Sequence, residues 1–256
     1  MTQAFDLTGR TALITGASSG LGARMARVLA ASGAKVALAA RRMDRLEALA
    51  AEIAATGGAA HAVSMDVTDE TSIIAGYDAA ETALGPIDTV FANAGMNNRA
   101  LAAEITAEAW DGVMAINLRG VFLTAREGAR RMMAAGSRES GRGRIILISS
   151  IGALKVLPGL TAYCTSKAAV LMMGKSMARE WANRGINVNV ICPGYVETEL
   201  NAEWFAEEGG KKQVTSFPRR RLMVEEDLDG MALYLASDAS RAITGSVFTL
   251  DDGQTL

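Results

Sequence analysis

Histidine is almost missing from this chain: the 256 residues hold one, His61, and only two cysteines, Cys164 and Cys192. A zinc site built from several His or Cys ligands is therefore not available, so no metal site is expected. A serine hydrolase triad would have to use His61, which lies in "GGAAHAVSMDV" and reads as the start of a strand. The cysteines have no metal-binding spacing and read as small buried hydrophobes. Proline is scarce at 4, and the net charge is only −2. Without a basic excess there is no electrostatic case for nucleic acid. No apolar run reaches the roughly 18–20 residues a membrane helix needs. The polar opening "MTQAFDLTGR" lacks the apolar stretch of a signal peptide, so a cytoplasmic protein is expected. Any acid–base chemistry must come from Tyr, Lys, Ser or carboxylates.

The chain does hold a regular alternation. "RTALITG" (10–16) is a short apolar run, and "SSGLGARMARVLAASG" follows it with helical spacing. "AKVALAAR", "AAHAVSMDV", "IDTVFANAG", "GRIILISS", "GINVNVICPG" and "GSVFTLDDG" read as further strands. Helices are expected between them, among them 69–84, 104–135, 161–184 and 225–236. Repeated β-α-β units predict a Rossmann-type α/β fold, a doubly wound parallel sheet of about seven strands with helices on both faces. No linker divides the chain, so 1–256 is expected to be a single dinucleotide-binding and catalytic domain. Ligands in such sheets bind beyond the C-terminal strand ends, where "TGASSGLG", "ANAG", "SSIGALKVLPG" and "PGYVETEL" would gather.

"TGASSGLG" sets Gly16, Gly20 and Gly22 between a strand and a helix, with Ser18, Ser19 and Leu21 among them. Glycine lets a ligand approach the backbone closely, and the helix start offers unpaired N–H groups to a pyrophosphate. The end of the second strand reads "VALAARR". An acid there would bind the ribose hydroxyls and repel a 2′-phosphate. Ala40 takes that place, followed by Arg41 and Arg42, and a guanidinium can grip the phosphate. NADP(H) is favoured over NAD(H), though the loop itself brings no second basic residue. Asp66 has two readings: acceptor for an adenine amino group, or cap of a helix beginning near Thr68.

Tyr163 and Lys167, four apart in "GLTAYCTSKAAV", share one helix face. Thirteen residues before Tyr163 stands Ser150. With "TGASSGLG", "NAG" at 93–95, Asn117 in "INLRGVF" and "PGYVET" at 193–198, these residues resemble the short-chain dehydrogenase/reductase family in its single-domain branch. The likeness runs from Thr11 to the closing "DDG" and extends to 3-oxoacyl carrier-protein reductases and alcohol or sugar dehydrogenases.

That resemblance implies an NAD(P)-dependent oxidoreductase of ketones and secondary alcohols. Tyr163 would be the acid or base, with Lys167 lowering its pKa and binding the nicotinamide ribose. Ser150 would hold the substrate oxygen, and Asn117 a proton-relay water. Asn93, Ala94, Gly95 and Val67 would flank the adenosine, while Pro193, Gly194, Val196 and Thr198 would hold the carboxamide. No motif residue is substituted, so an active enzyme is expected. Alternatives are a non-catalytic nucleotide sensor on the same fold, or an NAD-dependent sugar or polyol dehydrogenase.

Met96, Gly152, Leu154, Leu157, Leu160 and Tyr195 make an expected pocket wall that is mainly apolar and suits a ketone with a hydrophobic arm, such as a 3-oxoacyl compound. Residues 199–218, with Trp204, Phe205 and Gly209-Gly210, read as a substrate lid or as a surface helix pair with two aromatic anchors. Arg219, Arg220 and Arg221 read as a solvated run or as a contact for a phosphate-bearing carrier. The helices at 104–135 and 161–184 resemble those that pair subunits in the family, which implies a homotetramer.

Overall fold

Strand residues here alternate between two hydrophobic clusters, and that alternation builds the layers. In the computed structural model, which describes residues 5–198 and 201–256, β1 (Thr11–Thr15) sends Ala12 and Ile14 to one cluster and Leu13 to the other. β4 (Thr89–Ala92) and β5 (Gly143–Ile148) divide in the same way, with Phe91, Ile146 and Ile148 on one side and Val90, Ala92, Ile145 and Leu147 opposite. A strand with apolar residues at every position is buried on both faces, which a parallel sheet requires.

β2 (Lys35–Ala40), β3 (Ala59–Ser64), β6 (Ile186–Pro193) and β7 (Val247–Leu250) complete seven strands in the order β3-β2-β1-β4-β5-β6-β7. Every pairing is parallel. α1 (Gly20–Ala31), α2 (Met43–Ala55) and α10 (Asp229–Ala236) cover one face. α3 (Glu70–Leu84), α5 (Val121–Ala134) and α7 (Thr161–Trp181) cover the other. α4 (Ala107–Met114) and the four-residue α6 (Ser137–Ser140) flank α5. α8 (Ala202–Ala206) and α9 (Glu208–Ser216) lie in the segment after β6.

The chain runs outward from β1 to β3, then returns to β1's other side as β4. The crossovers therefore diverge between β1 and β4, and a crevice opens beyond their C-terminal ends. No helix among the described residues is long and apolar enough to cross a membrane.

Two expected helices differ in detail. The helix expected from 104 starts at Ala107, and between α4 and α5 it widens into a π-helical stretch, Ala115–Gly120. A π turn inside an α-helix re-aims one residue, and here that residue is Asn117. The cap of α3 is Asp69, which accepts from the Thr71 N–H at 2.9 Å. Asp66 is thus not the helix cap; it closes a preceding turn by accepting from the Thr68 N–H at 2.9 Å and the Thr68 hydroxyl at 2.8 Å. In the expected lid, Glu199 and Leu200 lie outside the described residues.

Candidate active site

Loops following six strands meet around one cleft of about 610 Å³. The turn after β1 forms its floor. An added Cβ on Gly16 would come 2.9 Å from the Ala94 Cα, and one on Gly22 would come 2.3 Å from the Gly16 carbonyl oxygen. Only glycine lets the turn, the start of α1 and the loop after β4 close on one another this tightly. At the head of α1, Ser19 is the N-cap but gives its side chain to no first-turn N–H. Ser19, Gly20 and Leu21 line the cleft, so the start of α1 is open to it, as an anion site at a helix start requires.

The loop after β4 is fastened to β1. The Thr15 hydroxyl accepts from the N–H groups of Asn93 and Ala94 at 3.0 and 3.1 Å, and the Asn93 amide donates to the Thr15 carbonyl at 3.0 Å. Further along, the buried Asn117 amide accepts from the Met96 N–H and donates to the Met96 carbonyl, both at 2.8 Å. It also donates to the Ser166 hydroxyl at 3.2 Å, which ties the π turn to α7.

Tyr163 and Lys167 stand one turn apart on α7, both lining the cleft. The Lys167 ammonium lies 5.7 Å from the phenol ring centre and donates to the Ile148 carbonyl at 2.9 Å. Ser149 holds the same turn of α7 by donating to the Lys167 carbonyl at 2.8 Å. Ser150 ends β5's loop in extended backbone, and its hydroxyl accepts from the Gly152 N–H at 3.0 Å.

Burial pushes the Tyr163 phenol up to about 12, opposed by its hydrogen bond with Ser150. Burial pushes Lys167 down to about 8. Lys167 turns its ammonium to Ile148, and burial, which strips water from the phenol, sets the direction of the Tyr163 shift.

A search by similarity finds that the short chain dehydrogenase family matches residues 10–209. The chain belongs to that family. D-threitol dehydrogenase of Mycolicibacterium smegmatis is 36% identical over 252 residues, covering 98% of this chain and 95% of the relative. Gluconate 5-dehydrogenase of Gluconobacter oxydans is 36% identical over 253 residues, covering 98% and 97%. Among solved structures, a gluconate 5-dehydrogenase from Burkholderia cenocepacia J2315 in complex with NADP and tartrate has a TM-score of 0.92 at 35% identity, covering 98% of this chain and 97% of that one. As a short-chain dehydrogenase, the chain is an NAD(P)-dependent oxidoreductase acting on CH–OH groups.

In this short-chain dehydrogenase the sequence-derived site residues converge. Gly16, Ser18, Ser19, Gly20, Leu21, Arg41, Asp66, Val67, Asn93, Ala94, Gly95, Ser150, Tyr163, Lys167, Pro193, Gly194, Val196 and Thr198 all line the one cleft. Gly22 and Asn117 stand behind it as packing and bracing residues. Of the expected pocket wall, Met96, Leu157, Leu160 and Tyr195 face the cleft. Gly152 and Leu154 do not line it. Gly152 packs behind Tyr163 and Leu157, and Leu154 turns half outward.

Contacts across the chain add to these, some from residues without a sequence signal. Arg42 donates to the Ser18 hydroxyl at 2.9 Å and to the Ser19 hydroxyl at 2.8 Å, so the glycine loop does gain a basic neighbour. Gln254, from the C-terminal loop, accepts from the Tyr195 N–H at 2.7 Å and fixes the turn after β6. Asn97 and Asn201 add amides to a wall expected to be apolar.

The Lys167 shift has a stability consequence. An unfolded lysine binds its proton up to about 10.5, the folded one only to about 8. Between those values the unfolded state holds more protons, so stability rises with pH across that window. Below about pH 8 the full penalty of a buried ammonium is present. Lys167→Met should therefore gain about 1–2 kcal/mol at pH 7 after losing the bond to Ile148. Urea unfolding should show the gain shrinking towards pH 10.5, and no gain at pH 7 would refute it.

Proposed function

We propose that the chain interconverts a small secondary alcohol and its ketone with NADP(H), using Tyr163 as the proton donor and acceptor. The observation that carries this reading is that Ser150, Tyr163 and Lys167 all line one cleft, with Lys167 one helical turn behind the phenol. Bound NADP(H) supplies or accepts the hydride. Ser150 donates to the substrate oxygen and holds it against the phenol. In reduction Tyr163 gives its proton to that oxygen; in oxidation it takes the proton back. Lys167 stabilises negative charge developing on the phenol oxygen and would hold the nicotinamide ribose of the bound dinucleotide. Asn117, locked between Met96 and Ser166, serves the proton path behind Lys167.

Preference for NADP(H) rests on Ala40, Arg41 and Arg42 at the end of β2. The glycine loop, the open head of α1 and these guanidinium groups fit a 2′-phosphorylated dinucleotide. The relatives named for threitol and gluconate favour a polyhydroxylated substrate over a 3-oxoacyl chain, and Asn97 and Asn201 suit it. A carrier contact at Arg219 to Arg221 loses support because Asp252 pairs with Arg219 at 3.0 Å and with Arg221 at 2.9 Å.

A homotetramer in the cytoplasm completes the reading. Phe122 on α5 and Met172 on α7 leave 39% and 60% of their surface exposed for pairing. The two free cysteines suit a reducing compartment.

Three outcomes are expected. Tyr163→Phe should lower kcat at least a thousandfold while NADPH affinity, read by fluorescence titration, changes less than threefold; surviving turnover sinks the mechanism. Replacing Arg41 and Arg42 with alanine should raise the KM for NADPH at least tenfold and leave that for NADH nearly unchanged. A wild-type preference for NADH would reverse that assignment. Light scattering should give the mass of four chains, and a monomer mass would refute the assembly.

A further inference from the structure

Arg99 is an unusual cation for the mouth of this cleft. Its guanidinium carbon lies over the Trp204 ring of α8, 3.6 Å from the ring centre. Stacking engages the face of the guanidinium and leaves its N–H edges pointing sideways. Among the described residues no hydrogen-bond acceptor or carboxylate engages those edges.

Both sides of the stack are held in place. The Ala100 N–H donates to the Gly159 carbonyl at 2.9 Å, and Ala100 bridges to Leu160. The Arg99 stem runs along Gly159, where an added Cβ would sit 3.6 Å from the Arg99 Cγ. The Trp204 indole N–H donates to Gln213 at 2.8 Å. An arginine stacked in this way has already given up much of its rotamer freedom, so less is lost when it binds.

Its position is at the substrate end of the cleft. Asn97, two residues before Arg99, and Leu160, beside its stem, both line the cleft. So does Tyr195, which packs edge-on to Phe205 at 5.3 Å and stacks on Phe217 at 5.6 Å. Burial raises the Tyr195 phenol, and Gln213 and the Arg99 charge oppose that rise, so the positive field of Arg99 is felt at the cleft wall.

We propose that Arg99 anchors a carboxylate at the far end of the substrate, making the natural substrate a hydroxy acid or its oxo acid rather than a neutral polyol. A planar fork of donors matches a carboxylate's two oxygens. Trp204 holds that fork at a fixed angle, so α8 takes part in recognition through Arg99. This assignment rests on the alcohol–ketone reading above and narrows its substrate class.

The test uses an aldonic acid and the alditol of the same chain length, titrated calorimetrically into NADP-loaded protein. Wild type should bind the acid at least tenfold more tightly than the alditol. Arg99→Ala should reduce that ratio to below threefold, and Arg99→Lys, which keeps charge without the flat fork, should retain part of it. A wild type without the preference overturns the proposal. So does a preference that survives in Arg99→Ala, or acid and alditol affinities that fall together, because Arg99 would then only hold α8 in place. Turnover measured on the same samples separates the two readings. Acid that binds with Arg99-dependent preference yet is not oxidised refutes the alcohol–ketone function and leaves the anchor standing.

Discussion

The Thr15 hydroxyl is the point on which the cleft depends. It ends β1, an inner strand beside β4, and accepts two backbone N–H groups from the loop after β4. That places Gly16 against Ala94 with no room for a side chain. The glycine turn and the loop after β4 are thereby held at one separation where the crossovers diverge. The remaining cleft walls are assembled on this frame, from strands that share one parallel sheet.

Tyr163 and Lys167, the proposed reacting groups, sit on a second frame built from α7. Lys167 reaches the end of β5 through the Ile148 carbonyl, Ser149 answers from the strand to the helix, and Asn117 links α7 to the loop after β4. Each bond is buried, so each resists solvent competition. The same burial sets the charge states: it drives the phenol up and the ammonium down. Stability is lowered at Lys167 to keep a cation in a water-poor cleft, which is how strained charge comes to lie at a working site.

The proposed substrate-recognition region has a different construction. Its pieces come from distant segments: Asn97 and Arg99 after β4, Leu157 and Leu160 before α7, Tyr195 after β6, Trp204 on α8, and Gln254 near the C-terminus. Aromatic packing joins Tyr195 to Phe205 and Phe217, and a cation–π stack joins Arg99 to Trp204. The expected lid is a helix pair with aromatic anchors, and one of those anchors carries the rim arginine.

Much of this was legible in the sequence for physical reasons. Short apolar runs such as "TALIT", closed by glycine, fit buried strands, and their alternation with amphipathic helices points to a parallel sheet. Glycines at a strand-to-helix turn and a tyrosine four residues before a lysine are local patterns, so spacing alone exposes them. Tertiary structure decided what depends on residues far apart in the chain. Arg42 reaches back 24 residues to Ser18, Gln254 reaches 59 residues to Tyr195, and Arg99 meets Trp204 across the cleft mouth. It also decided the direction of the Tyr163 and Lys167 shifts, because sequence counts neighbouring charges whereas burial, the larger effect here, exists only once the chain has closed around them.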